Sequence, residues 1–85
     1  MLAKPCRLEI NNSGSWKTLG HFDAANELHA QTIMNSAEEL VKLLNQGNTI
    51  KRWPTLRISM DDGLASVLMH WTVERGWYES QRASA

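Results

Sequence analysis

Residues 26–44 read NELHAQTIMNSAEELVKLL, and this stretch decides the fold. Ala30, Ile33, Met34, Ala37, Leu40, Val41 and Leu44 recur at three- and four-residue steps, which on a 3.6-residue period makes one apolar stripe. Asn35, Glu38, Glu39, Lys42 and Asn45 take the other side, with Glu38 and Lys42 in the favourable i,i+4 order. Asp23 or Asn26 can cap the start, and Glu27 suits the positive end of the helix dipole. Gly47 is a natural stop. Ser36 with Glu39 has the form of a capping box, which would break the helix near residue 35, but the unbroken stripe argues for one continuous helix.

On both sides of this helix the period falls to two. Residues 6–10 (CRLEI) alternate apolar and charged, Asn11-Asn12-Ser13-Gly14 supplies turn formers, and residues 16–22 alternate again. That is a β-hairpin. After the helix, Pro54 biases Trp53 toward extended backbone, and Leu56, Ile58 and Met60 alternate with Arg57 and Ser59. Asp61-Asp62-Gly63 is a hairpin turn, and Val67, Met69 and Trp71 alternate with Ser66, Leu68 and His70. Glu74-Arg75-Gly76 reads as another turn, so residues 77–79 can add a short fifth strand. The expected fold is α+β, in the order ββαββ: a four-stranded antiparallel sheet with one helix packed on one face. The domain spans 1–79, and 80–85, which has no apolar anchor, is expected to fray.

Alternation assigns each strand two faces. The covered face should hold Leu8, Phe22, Ile58, Met69 and Trp71, with Trp16, Thr18 and Gly20 in phase with Phe22. The open face should hold Arg7, Glu9, Lys17, Leu19, His21, Arg57, Ser59, Ser66, Leu68 and His70, with Lys51, Arg52 and Arg75 at its rim. The acids collect elsewhere, at Glu27, Glu38 and Glu39 on the helix and Asp61 and Asp62 in a turn. The chain has 85 residues and its nine Lys/Arg balance nine Asp/Glu, so it is neutral overall but dipolar in this reading. A one-residue slip in any strand would exchange its two faces.

Composition narrows the functional classes. A hydrophobic fraction of 42% supports one core and argues against disorder. Zero net charge gives no general pull toward nucleic acid or an anionic membrane. One cysteine, Cys6, excludes an intramolecular disulfide, and no apolar run nears the ~20 residues of a membrane span. With no apolar leader at residues 1–5, these features point to a cytoplasmic protein.

No motif carries catalysis. His21, His29, His70 and Cys6 have no recognised metal-ligand spacing, and Cys6, in phase with Leu8 and Ile10, reads as a small core residue. The five glycines form no phosphate-cradling loop. A chain this short leaves little room for a ligand pocket of ~300 Å³ or more. Neither a cofactor nor a metal is expected. Four tryptophans are many for this length: Trp71 falls in core phase, Trp16 lies near a strand end, and Trp53, beside Lys51 and Arg52, is the best candidate for exposure.

The expectation is a small non-enzymatic binding module acting through a protein–protein interface, on the open sheet face or a sheet edge, and able to form a homodimer. Its size and lack of catalytic motifs suit an inhibitor or regulator from a phage or mobile element. The contact residues would be Arg7, Lys17, His21, Lys51, Arg52, Trp53, Arg57 and His70. The alternative is a nucleic-acid-binding domain that uses the same basic face, with affinity falling steeply in salt.

Overall fold

The change of period in the sequence is followed by the backbone. A computed structural model describes residues 3–12, 14–46, 53–64 and 66–80. Strands β1 (Pro5–Asn11) and β2 (Trp16–Asp23) precede helix α1 (Glu27–Leu44). Strands β3 (Thr55–Met60), β4 (Val67–Thr72) and β5 (Gly76–Glu79) follow it. The fold is α+β, with the fifth strand present, and the five strands form one sheet in the order β2-β1-β3-β4-β5. Every neighbouring pair is antiparallel. Among the described residues, no helix is long and apolar enough to cross a membrane.

Local chemistry sets the element ends. The Asn26 side chain accepts from the His29 N–H at 3.1 Å, which makes Asn26, rather than Asp23, the N-cap. Asp23 instead accepts from the Lys4 and Ala25 backbone N–H groups at 2.7 and 2.9 Å, tying the end of β2 to the start of β1. The helix runs through Ser36 without a break, and Lys42 pairs with Glu38 at 2.9 Å. It ends on Asn45, whose amide donates to the Val41 carbonyl at 2.8 Å. Gly47, the expected stop, lies outside the described residues, as do Lys51 and Arg52. In the first hairpin Gly14 adopts φ 95°, and its N–H donates to the Asn11 side chain at 2.9 Å. Ser80, expected in the fraying tail, donates its N–H to the Leu68 carbonyl at 2.9 Å. The remaining tail, 81–85, lies outside the described residues.

Cys6, Ala37, Val41, Leu56, Ile58 and Trp71 are buried between helix and sheet. Leu8, Ile10, Trp53 and Trp77 pack around them. The Trp77 indole donates to the Met34 carbonyl at 3.1 Å, pinning the helix to β5. Cys6 is a core residue as expected, and burial, which outweighs the nearby Lys4 charge, raises its thiol pKa. The apolar stripe is buried over only part of its width: Leu40 is 54% and Leu44 67% exposed.

Two register shifts correct the assignment of faces. In β1–β2, Leu8 faces Gly20 and Glu9 faces Thr18, so Leu19 is passed over. Beyond that bulge the phase of β2 reverses. Trp16 and Thr18, expected under the helix, join Asn11 and Glu9 on the open face, and Lys17 falls opposite Ile10 instead. In β3–β4, Ile58 faces Met69 and Ser59 faces Val67, passing over Leu68. Ser66 and Leu68, expected on the open face, line a cavity on the helix side together with Val67, which the bulge sets opposite Ser59. Leu8, Phe22, Ile58, Met69 and Trp71 share the covered register, as the alternation requires.

Candidate functional site

Register and sequence together build the open face in rows. The central row crosses all five strands as Thr18, Glu9, Arg57, His70 and Tyr78. Beside it run His21, Arg7 and Ser59 on one flank, with Trp16, Asn11 and Thr55 on the other. Arg7, His21, Arg57 and His70 therefore share one face, as expected. Lys17 does not, and Trp53, expected to be exposed, is half-buried against the core. Its ring supplies area that an 85-residue core needs.

At the centre sits a carboxylate where an open sheet should carry water. Glu9 is only 6% exposed. Its Oε1 accepts from Arg57 Nε at 2.8 Å and from Ser59 Oγ at 2.7 Å. Arg57 Nη2 lies 3.5 Å from Oε2. Burial pushes the Glu9 pKa up, but those hydrogen bonds and the charges of Arg57 and Arg7 outweigh it, and the net shift is downward. The face of the Arg57 guanidinium is used as well: its carbon lies 4.1 Å from the Trp16 ring centroid.

The aromatic rings farther along the row are also engaged. His70 and Tyr78 stack with centroids 5.6 Å apart and planes inclined by 24°. The Arg75 guanidinium covers Tyr78 at 3.7 Å. Burial, then the Arg57 charge, lowers the His70 pKa, so the ring is neutral at pH 7. His21 meets Asp61 at 3.7 Å in an exposed pair, which is worth little. Arg7 stands out because its Nε–H is buried with no acceptor among the described residues. Such an orphaned donor is a cost that needs a reason.

Glu9, Trp16 and Tyr78 complete this face, yet none stood among the expected contact residues. Trp16 was hidden by the bulge, for which Gly20 inside a strand pattern is the available signal. Tyr78 was readable by alternation with the core-facing Trp77.

The face combines paired charges with rings covered by guanidinium groups. Among the described residues, no three His, Cys, Asp or Glu side chains stand together as a metal site. The expected lack of room for a pocket is corrected. A cavity of about 420 Å³ opens between the first half of α1 and the sheet, lined by Phe22, Ala30, Met34, Ile58 and Met69 among others. No protein-family model matches the chain, and comparisons with curated proteins and with solved structures likewise find no match.

Proposed function

We propose that this protein is a binding module whose open sheet face receives an acidic segment of a partner protein. The observation that carries the reading is the state of the rings on that face. Trp16 is covered by Arg57, and Tyr78 by Arg75 and His70. A platform for unpaired bases needs free ring faces. Here the rings hold guanidinium groups in place, which favours a rigid cationic surface over base stacking. Arg7, Arg57 and Arg75 outnumber Glu9, the one buried carboxylate among them. Rigid, preorganised charge of this kind gives specificity and fast association with an acidic surface. The nucleic-acid reading is weaker on the same ground, and neutral overall charge also counts against it.

The test is affinity capture from the native host with three baits: wild type, Thr18→Glu/Arg75→Glu and the helix variant Glu39→Lys. The double variant reverses the potential at both ends of the central row through exposed positions. A protein captured by wild type, lost with the double variant and retained by the helix variant Glu39→Lys supports the reading. Equal capture by wild type and the double variant, or recovery of nucleic acid alone, refutes it.

A further inference from the structure

We propose that Arg7 and Arg57 form a carboxylate-binding site, the anchor point for one Asp or Glu side chain of the acidic partner. The inference rests on the reading of the open face given above and names the chemistry at its centre. Arg7 and Arg57 are diagonal neighbours across β1 and β3, because Arg7 faces Ser59 and Glu9 faces Arg57. Diagonal positions on one sheet face lie ~7–8 Å apart, within reach of two long side chains. Both guanidinium groups bear on Glu9, whose single charge neutralises only one of them. Arg57 directs Nε and Nη2 at Glu9, leaving Nη1 uncommitted. The Arg7 side chain makes no hydrogen bond or ion pair with any described residue, although its Nε–H is buried.

The centre of the face thus holds one surplus positive charge, one unsatisfied fork and one spare donor on a fixed guanidinium. A second carboxylate, accepting from the Arg7 fork and from Arg57 Nη1, would supply both the missing charge and the missing acceptor. Fork-to-carboxylate pairing is the geometry for which arginine is best suited. The site is ready-made on its Arg57 side, because Trp16 and Glu9 hold that guanidinium from its face and its edge. Arg7 needs only to turn its fork outward, and it gives up no hydrogen bond in doing so. The acids nearest this end of the sheet are engaged elsewhere: Asp61 faces His21, and one Asp23 oxygen holds the Lys4 and Ala25 N–H groups. They leave the surplus charge for a ligand.

The experiment is an NMR titration of the full chain that follows the arginine Nε–Hε signals. The probes are N-acetyl-tetraglutamate amide, sodium acetate, inorganic phosphate and oligothymidylate. Tetraglutamate should move the Arg7 and Arg57 signals saturably, with acetate moving the same two signals more weakly. Arg7→Gln should weaken tetraglutamate binding by about tenfold, as expected for losing one charged hydrogen bond. Arg7→Lys keeps the charge without the fork, so it should weaken binding too and serves if the glutamine variant folds poorly. Lys17→Gln, off the face, should change nothing. No saturable shift, an unchanged affinity in both Arg7 variants, or tighter binding of phosphate or oligothymidylate would overturn the carboxylate site. If the capture experiment yields a partner dependent on the open face while tetraglutamate leaves both signals still, the carboxylate site falls and the binding-module reading stands.

Discussion

Glu9 shows how one residue can be read correctly in phase and still be misjudged in environment. Alternation with Leu8 and Ile10 puts it on the open face, where a lone carboxylate would ordinarily be solvated. It is buried because Arg57 and Ser59 close over it from the neighbouring strand. Replacing it with glutamine leaves Arg57 without its charge partner in a half-buried setting. Glu9→Gln should therefore cost about 2–3 kcal/mol at pH 7, measured by urea unfolding. The pH dependence follows from the signs. The native Glu9 pKa lies below its ordinary value of 4.5, so its stabilisation is present above that pH and is lost as pH falls through the native pKa. The native His70 pKa lies below 6.5, so the folded form binds its proton later, and stability declines as pH falls from about 6.5 toward the native value. Stability should thus start to decline near pH 6.5 and fall more steeply below 4.5. Glu9→Gln should shrink the lower limb to the part that Asp23 supplies, and His70→Gln should remove the upper. An unchanged profile in both variants would contradict the roles given to these two groups.

At the scale of elements, the helix, four strands and the option of a short fifth were legible, because the period changes from two to 3.6 and back along the chain. What was not legible is the switch of phase within a strand. Leu19 and Leu68 look like ordinary alternating positions, and apart from Gly20 beside the first of them, only the partner strand reveals that they are passed over. This explains why Arg7, His21, Arg57 and His70 were placed correctly while Lys17, Trp16 and Leu68 were not. It also yields a prediction. Since Leu19 is the unpaired residue, its deletion should leave Thr18 opposite Glu9 and Trp16 against Arg57. Such a variant should fold, lose less than ~1 kcal/mol and keep the Trp16 fluorescence of the parent. A large loss of stability would show that the bulge itself holds the sheet. The helix stripe is a second case. Periodicity marks Leu40, Val41 and Leu44 as one face, but only Val41 reaches the core, at 4% exposure. Val41→Ala should cost about 2 kcal/mol, from two buried methyl groups and the gap they leave. Leu40→Gln and Leu44→Gln should each stay within about 0.5 kcal/mol in thermal or urea unfolding.

For the whole molecule, the two layers do different jobs. The covered side is a small core that ends before the helix does at its N-terminal half, and the space left over is the cavity beside Ala30 and Met34. No sequence pattern announces such a gap, because it depends on how far the helix stands off the sheet rather than on which residues face inward. The open side spends its arginines on its own rings and on Glu9, so the dipolar molecule inferred from charge positions becomes a more economical surface with one guanidinium in surplus. These layers are separable by experiment. Ala30 sits on a helix, lines the cavity and is not fully buried, and leucine is nearly as good a helix former as alanine. Ala30→Leu should place new methyl groups against Phe22, Met34 and Met69 and raise stability by about 1 kcal/mol. In a domain of this size that corresponds to a rise of roughly 4–8 °C in Tm by calorimetry. The open face lies on the opposite side of the sheet, so tetraglutamate binding should be unchanged in the same variant. A fall in Tm would mean that the space is already taken up by ordered water or by motion of the helix, and a change in binding would mean that the two layers are coupled through the sheet.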